Sequence, residues 1–419
     1  MSLNTQILIA AILGVAFGFL LNLFPQTSFF NASLYGLGII SSVFIGLLKM
    51  LLIPLIFSSI VVGVANLQAG GQLSRTWKIT LACCVTTTTL ALILGLACAH
   101  IFEVGKGVDV VMFQDAMNQH QTPDTLTPAS FFTNFIQNTL INPFKAFAEG
   151  NVLAVVVFAL FIGAALVKGG EKFRSVRKLS QQFFDIMMLM IGWVMKLAPL
   201  GIFALLAKLI STEDISVLSR LAEFAAVVTG TTIFHGAVVL PALLWIFGKM
   251  NPITFFKGTR AALITAFATS SSSATMPLSM KCAQENLGVR PQTAGFVIPL
   301  GTQLNMDGTA LYEAAAALFI ANLMGLDLSL GQQLVVCATA MIASLGAPGI
   351  PSAGMVTMIM VLQSVGLPAE AIAILLPIDR LLDTVRTVVN VQGDMMISVV
   401  VDRHTKDLEQ PALQHKMHV

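Results

Sequence analysis

The chain has 419 residues, of which 56% are hydrophobic and only 11% are charged, and its mean hydropathy is +0.84. Soluble proteins carry about 25% charged residues, so this composition, with apolar stretches such as 7–23, 155–167 and 224–247, indicates a polytopic membrane protein. It excludes a soluble enzyme, a nucleic-acid-binding protein and a disordered chain, and the net charge of +2 says nothing about partners.

Six apolar spans occupy the first 248 residues and are separated by polar connections. They lie near 5–24, 36–66, 77–104, 128–167, 180–208 and 220–248. The first span follows a short, weakly polar start and lacks a small-residue cleavage site, so we interpret it as a retained helix rather than a signal peptide.

Basic residues are concentrated in every second connection and after the last helix. They are Arg75, Lys78, Lys168, Lys172, Arg174, Arg177, Lys178, Lys249, Lys257, Arg260, Arg403, Lys406 and Lys416. The other connections are poor in them, since 24–35 has none and 105–127 has only Lys106. Because cytoplasmic loops are enriched in Lys and Arg, this pattern predicts cytoplasmic N- and C-termini and an external loop at 105–127.

After residue 257, small and polar residues interrupt two apolar segments. A serine-rich run at 269–273 lies within 261–280, and a Gly/Pro-rich run at 344–354 lies within 334–365. Irregular backbone at membrane depth survives only where protein or a water-filled cavity surrounds it. Each segment is therefore predicted to form two half-helices that meet at a tip, as in a re-entrant hairpin. The alternatives are small-residue helix packing for the serine run and a simple kink for the Gly/Pro run.

A helix with charged residues follows each interrupted segment, at 293–323 and at 370–401. This repeated order suggests an internal structural repeat, although the two copies share negligible sequence similarity. Paired interrupted segments are the best sequence indication of a transporter binding site.

The polar residues of the last helix share one face. At 100° per residue they fall within an arc of about 100°; they are Asp379, Asp383, Arg386, Thr387, Asn390 and Asp394. Each intramembrane charge costs about 2.5–3.5 kcal/mol, so this face must meet protein, water, ions or substrate. A structural ion-pair network of Arg386 with Asp379 or Asp383 is the alternative. One arginine does not neutralise three carboxylates, however, and the surplus negative charge favours cations.

The preceding helix has polar residues in conflicting directions. Asn305, Thr309 and Glu313 share a face, whereas Asp307 would point about 200° away from Asn305 in a regular helix. Acids on both faces at bilayer depth are unfavourable. We therefore predict local unwinding beside Gly308, which would free carbonyl oxygens as ligands for a hard cation.

Eight motifs spread over nearly the whole chain together resemble one known family. They are LKMLLIP at 48–54, VVGV at 61–64, NPF at 142–144, GNVL at 150–153, the serine-rich run, NMDGT at 305–309, the Gly/Pro-rich run and DxxRTxxNVxGD at 383–394. In these motifs the chain resembles the dicarboxylate/amino acid:cation symporters, a family that includes the glutamate transporters.

The resemblance implies an all-α polytopic membrane protein with eight transmembrane helices, two re-entrant helical hairpins and inverted repeats, assembled as a homotrimer. The implied domains are scaffold helices 1 and 2 at 1–75, transport-domain helix 3 at 76–105, an external loop with scaffold helices 4 and 5 at 106–217, the remaining transport domain at 218–402 and a cytoplasmic tail at 403–419. Within 218–402, hairpin 1 is expected near 257–285 and hairpin 2, the gate, near 331–363. The transport domain would carry the site across the membrane as an elevator.

The resemblance also implies a substrate pocket. Arg386 matches the residue that binds the acidic side chain of the substrate, and Asp383 matches the ligand of its α-amino group. The matches to the α-carboxylate ligands are Asn390, Ser271, Ser272 and Ser273. Further positions matched to the pocket are Thr309, Ile350, Gly354 and Thr387. Arg386 together with Asp383 favours glutamate and aspartate, because relatives for neutral amino acids tend to lose the arginine and those for C4-dicarboxylates the aspartate.

Three sodium sites follow from the same resemblance. The first is Asp394 with carbonyl groups of Gly301, Asn305 and Asn390. The second is Asp307, Asn305, Thr87 and Thr88. The third consists of carbonyl groups of Ser344, Leu345, Ala347 and Gln303. Proton-driven relatives tend to lack a carboxylate at the position of Asp394, so its presence favours sodium, with two and three ions both left open.

The chain also departs from the family pattern. Relatives place a second arginine at the position of Ser270 or of Thr384, and this chain has neither; Arg380 is a candidate to balance Asp379. Gln303 and Cys84 replace the usual residues at two sodium positions, where the ligands are backbone groups.

Glu313 matches a glutamate that the family implicates in proton co-transport and potassium return. The residue is therefore a candidate proton carrier, with a structural hydrogen bond as the alternative, and H+ and K+ are further candidate ions.

The expected function is sodium-coupled import of glutamate or aspartate through the cell (inner or plasma) membrane. A proton-coupled glutamate or C4-dicarboxylate symporter is the alternative. An intramembrane serine hydrolase built on 270–273 is disfavoured, because the chain has no G-x-S-x-G motif. A channel is the third alternative, and it would conduct without saturable transport.

Overall fold

The computed structural model describes residues 3–25, 27–65, 74–107, 140–149, 151–212, 215–346 and 353–405, and these are almost entirely helical. The first seven helices are α1 Leu3–Asn22, α2 Ser28–Ala65, α3 Ser74–Ile101, α4 Pro143–Glu149, α5 Val152–Gly169, α6 Arg174–Lys196 and α7 Ala198–Thr212. A long helix, α8, follows at 215–248. The remaining helices are α9 Pro252–Thr269, α10 Ser272–Glu285, α11 Pro291–Leu304, α12 Asp307–Leu323, α13 Leu330–Gly346, α14 Ala353–Ser364 and α15 Ile372–Thr405.

Helices of membrane-spanning length are present in the described part of the chain. Four are long and apolar enough to cross a bilayer, and a fifth is added if the bent pair Val157–Val194 and Ala198–Thr212 counts as one span. Large apolar side chains such as Phe161, Trp193 and Trp245 are exposed, as expected where lipid is the solvent. The protein is therefore a helical membrane protein, while the count of eight spans and two hairpins stays a prediction.

The helices pack in two groups. In the first group, α1 packs against α7, and α2 packs against α5, α6 and α7. In the second group, α15 packs against α3 and against α8 to α12, and α12 also contacts α13 and α14. Nearly every residue of α12 is buried, including Asp307, Thr309 and Glu313, so these polar side chains need partners on the helices around it. The domain boundaries expected from the sequence stay predictions.

Two predicted spans are each divided into two helices. The span at 128–167 contains α4 and α5, with the Asn151 side chain capping α5 by accepting a hydrogen bond from the Ala154 N–H at 3.1 Å; residues 128–139 lie outside the described residues. The span at 180–208 bends by 53° between α6 and α7. Pro199 lies in the first turn of α7, where its missing N–H costs no helical hydrogen bond, so a new helix starts there easily.

Helices α9 and α10 form an antiparallel pair. Only Ser270 and Ser271 separate them, and the Asn286 side chain, just beyond the end of α10, donates a 2.7 Å hydrogen bond to the carbonyl of Gly258, near the start of α9. The serine-rich run is therefore a sharp reversal. Ser270 adopts a left-handed conformation with φ 48°, and the Ser271 side chain caps α10.

The chain also breaks between α11 and α12. Asn305 and Met306 have non-helical backbone angles, and α12 starts at Asp307. Local unwinding thus occurs just before Gly308, which is itself helical. Gly308 serves close packing, since a Cβ atom there would lie 2.7 Å from the Arg386 carbonyl oxygen.

Candidate functional site

The polar face of α15 is buried. All six residues expected on it are at most 5% exposed: Asp379, Asp383, Arg386, Thr387, Asn390 and Asp394. Buried charges require partners, so the contacts of each define what the site can bind.

Arg386 lies at the centre of an ion-pair network. Its Nη2 donates hydrogen bonds to Asp379 Oδ1 at 2.7 Å and to Asp383 Oδ1 at 3.0 Å. Arg380 Nη1 lies 3.5 Å from the other oxygen of Asp383. The structural network that the sequence left open is therefore formed, and it has two arginines and two aspartates. Arg380 pairs with Asp383, while Asp379 pairs with Arg386.

Two of the three nitrogen atoms of the Arg386 guanidinium are unused. Its Nε and Nη1 have no hydrogen-bond partner among the described residues, although the side chain is 1% exposed. The ring of Tyr312 lies 4.1 Å below the guanidinium and fixes its plane. A Cβ atom on Gly354, at the start of α14, would lie 3.4 Å from Nη1 and 3.0 Å from the Thr309 methyl group. Nη1 thus faces the space between α12 and α14.

Asn390 connects α15 to the first turn of α12. Its Oδ1 accepts a 2.8 Å hydrogen bond from the Gly308 N–H, and its Nδ2 lies 3.4 Å from the hydroxyl of Thr309. The close approach at Gly308 makes these contacts possible. Thr387 is buried one residue after Arg386.

The serine-rich reversal supplies the start of a helix. Ser271 and Ser272 are buried, Ser273 is half-buried, and α10 packs against α11 and α15. The first N–H groups of a helix have no acceptor within it, so the amides of Ser272 and Ser273 are available as donors. The buried hydroxyl of Ser270 has no hydrogen-bond partner among the described residues.

A first cluster of hard oxygen atoms surrounds Asp307. Thr88 and Thr87 donate hydrogen bonds to its Oδ1 at 2.8 and 3.1 Å, and the Thr87 hydroxyl also lies 3.1 Å from Asn305 Oδ1. All four side chains are at most 2% exposed. Helix α3 provides the hydroxyl groups and the α11–α12 break provides the amide and the carboxylate.

Asp394 forms a second carboxylate cluster. Asn305 Nδ2 lies 3.4 Å from its Oδ1, and the Thr302 hydroxyl lies 3.5 Å from its Oδ2. A Cβ atom on Gly301 would collide with the Asp394 carboxylate, so only glycine fits there. The two clusters are joined by the single amide group of Asn305.

The third set of sodium ligands is only partly described. Ser344 and Leu345 lie in the last turns of α13, Gln303 lies near the end of α11, and these two helices are in contact. Ala347 and Ile350 lie outside the described residues, as does the Gly/Pro-rich stretch 347–352.

Glu313 is completely buried in α12. Its Oε1 accepts a short hydrogen bond from the Thr357 hydroxyl of α14, and its Oε2 has no partner among the described residues. The structural hydrogen bond that the sequence left open is therefore present, and it joins Glu313 to the helix that follows the Gly/Pro-rich run.

Sequence reasoning missed His235 of α8. Its Nε2 lies 3.3 Å from Asp307 Oδ2, and both side chains are 0% exposed. The two residues are 72 positions apart, and no motif joins them. A histidine within an apolar span was the sequence feature that could have indicated a buried polar contact at this position.

Apolar helices of membrane-spanning length that enclose buried charged clusters are features of a helical membrane transporter. The family model described as the sodium:dicarboxylate symporter family matches residues 3–404. The chain therefore belongs to the sodium:dicarboxylate symporter family.

Curated relatives cover nearly the same length. The chain is 34% identical to a putative sodium-dependent excitatory amino acid transporter, glt-4, of Caenorhabditis elegans, over 97% of this chain and 90% of the relative. It is 33% identical to excitatory amino acid transporter 3 of Mus musculus, over 98% and 87%. It is 32% identical to a proton/sodium-glutamate symport protein of Geobacillus stearothermophilus, over 95% and 93%.

Proposed function

We propose that this protein is a secondary active transporter that imports glutamate and aspartate together with sodium. The observation that carries the proposal is the Arg386 guanidinium, which is buried, held at Nη2 by Asp379 and Asp383, and unpartnered at Nε and Nη1 among the described residues. The N–H groups of Nη1 are unused in this part of the chain, and a guanidinium N–H makes a strong, charge-assisted hydrogen bond to a carboxylate. An acidic side chain is the group that fits this free donor.

The other groups of an amino acid have counterparts around Arg386. Asp383 supplies negative charge for the α-amino group, and this charge disfavours substrates with a second carboxylate in that position. Asn390 and the first amides of α10 are the proposed partners of the α-carboxylate, where the positive end of a helix dipole adds to the attraction. Thr309, Thr387, Gly354 and Ile350 complete the proposed pocket.

Sodium is the coupled cation in this proposal. Asp307 and Asp394 are buried with threonine hydroxyl groups and the Asn305 amide nearby, and hard oxygen ligands suit a small hard cation. The names of two relatives include sodium dependence or sodium symport. The third proposed site lies between α11 and α13.

The proposed mechanism is movement of one domain against another. Helices α3 and α8–α15 would form the transport domain, with α9/α10 and α13/α14 as re-entrant hairpins, and α1, α2 and α5–α7 would form a scaffold that trimerises. Both termini would face the cytoplasm. The packing groups of the described helices support this division.

Proton coupling is proposed to use Glu313. Its hydrogen bond from Thr357 joins the acid to α14, the proposed gate helix, so protonation and gate position are coupled. The name of the bacterial relative includes protons as well as sodium, which supports testing both ions. Potassium return is a further candidate step.

Uptake of radiolabelled glutamate and aspartate into proteoliposomes tests the proposal, with sodium, proton and potassium gradients imposed separately. We expect saturable uptake that requires an inward sodium gradient and is not displaced by succinate. Uptake indifferent to sodium would favour a proton-coupled glutamate symporter. Displacement of glutamate by succinate would favour a C4-dicarboxylate symporter.

A further inference from the structure

Helix α8 changes its winding where it passes the Asp307 cluster. A π-helical segment, His235–Val239, follows the regular helix Ile215–Phe234, and a second one occurs at Leu244–Gly248. Single π-helical turns are rare and occur often at functional sites. The first residue of this segment is His235, which contacts Asp307.

Contacts with α15 hold this segment in place. The Gln392 side chain donates a 2.6 Å hydrogen bond to the carbonyl of Gly236. Gly236 also allows α8 to approach α15, since a Cβ atom there would lie 2.9 Å from a Val389 methyl group. The backbone at His235 and Gly236 is therefore held against α15, and this places the imidazole of His235 beside Asp307.

The geometry defines the hydrogen-bonding role of His235. Its Nδ1 is buried and has no partner among the described residues, so a hydrogen on that atom would be a buried unpaired donor. Nε2 faces a carboxylate oxygen at 3.3 Å, and a lone pair there would be repelled. The favoured tautomer carries its hydrogen on Nε2 and donates it to Asp307 Oδ2.

The two oxygens of Asp307 thus have separate partners. His235 binds Oδ2, while the hydroxyl groups of Thr87 and Thr88 meet at Oδ1, beside Asn305 Oδ1. A hydroxyl that donates to a carboxylate can rotate to offer its lone pairs to a cation. A ring N–H group cannot. The carboxylate therefore presents Oδ1 to the cation and is anchored through Oδ2.

We infer that His235 is a positioning residue of the Asp307 cation site, where its Nε2–H group fixes the orientation of the carboxylate and so determines the sodium affinity of that site. The inference rests on the sodium-coupled function proposed above and assigns a residue that the family motifs in the sequence do not include. Loss of an outer partner of a metal ligand typically lowers metal affinity by roughly 10- to 100-fold.

Two variants separate hydrogen bonding from packing. His235→Leu removes the donor, and His235→Gln retains an N–H donor at a similar reach. Thr232→Val is the matched control, because Thr232 is buried one turn earlier in α8 and its hydroxyl has no partner among the described residues. Size-exclusion profiles report whether each variant is folded.

The measurement is the sodium concentration that gives half-maximal thermal stabilisation of the purified protein, with choline as the replacement cation and no amino acid present. We expect this concentration to rise roughly 10- to 100-fold in His235→Leu. We expect His235→Gln to restore it largely and Thr232→Val to leave it unchanged. Glutamate uptake at the same sodium concentrations should shift in parallel.

Three results would overturn the inference. They are an unchanged sodium requirement in His235→Leu, an equal loss in the leucine and glutamine variants, and a similar loss in Thr232→Val. If sodium does not stabilise the wild-type protein, the proposed cation site at Asp307 is contradicted. A wild-type protein that sodium stabilises but that fails to transport glutamate would contradict the proposed substrate and leave the role of His235 supported.

Discussion

Replacing Arg386 with cysteine removes the group that, in the proposed pocket, binds the side-chain carboxylate of the substrate. Arg386 also neutralises Asp379, which is 0% exposed and lies 2.7 Å from Nη2. Removing one partner of a buried ion pair costs about 3–5 kcal/mol. Applied to the pair between Arg386 and the substrate carboxylate, and with each 1.4 kcal/mol equal to a factor of about ten in affinity, this cost predicts that glutamate binding weakens by at least roughly 100-fold.

The same change destabilises the empty protein, because Asp379 is left buried without its counter-charge. The double variant Asp379→Asn, Arg386→Cys removes both charges and leaves the Arg380–Asp383 pair, at 3.5 Å, in place. We therefore expect the double variant to recover most of the lost thermal stability without recovering glutamate binding. Serine and alanine have no side-chain carboxylate, and their binding should be retained or improved in both variants.

The assay combines thermal unfolding of the purified protein with competition of unlabelled amino acids against radiolabelled substrate in proteoliposomes. Thr384→Val is the matched control on α15, because the Thr384 hydroxyl bonds to the Leu381 carbonyl of its own helix. Glutamate affinity within threefold of the wild type in Arg386→Cys would refute the assigned role. Recovery of glutamate binding in the double variant would show that the single change acted through folding alone.

Three further predictions concern the cations. Asp394→Asn should raise the sodium concentration for half-maximal uptake at least tenfold, as measured in sodium titrations, and an unchanged titration would contradict the site. Gly301→Ala should have a similar effect, because the added methyl group collides with the Asp394 carboxylate, whereas Gly295→Ala in the same helix meets no atom within 4 Å and should titrate like the wild type. Glu313→Gln should abolish stimulation of uptake by an inward proton gradient while sodium dependence persists, as measured with the two gradients imposed separately; retained proton stimulation would leave the hydrogen bond from Thr357 as a structural contact only.

The sequence was most informative where polar residues interrupt apolar ones. The serine-rich run predicted a break, and the chain reverses at Ser270 and Ser271. On a regular helix Asn305 and Asp307 would point in nearly opposite directions, which predicted unwinding, and the break is found at Asn305 and Met306. Such positions are predictable because a buried polar group with no partner is costly, and the local chain must adapt to it.

Other features depend on contacts between distant parts of the chain. The π-helical turn that starts at His235 lies inside an apolar span, and its partners Asp307 and Gln392 are far along the chain, whereas the bend at Leu197 had a local signal in Pro199. The sequence suggested that Gly308 allows unwinding, but the structure requires a glycine there because the Arg386 backbone on the facing helix leaves no room for a Cβ atom. The sequence named Arg380 as a candidate to balance Asp379; the structure places its Nη1 3.5 Å from Asp383, a partner that helical spacing alone does not decide.

Asn305 gives the two carboxylate clusters one shared part. Its Oδ1 faces Thr87 and its Nδ2 faces Asp394, and an amide cannot turn one end without turning the other. A cation that binds Asn305 Oδ1 in the Asp307 cluster would therefore keep Asn305 Nδ2 hydrogen-bonded to Asp394. This hydrogen bond would hold the Asp394 carboxylate in the orientation that binds the second ion. In the proposed transporter, occupation of the two sites becomes one cooperative event, with a Hill coefficient for sodium above one. A partly loaded carrier would be a minor species.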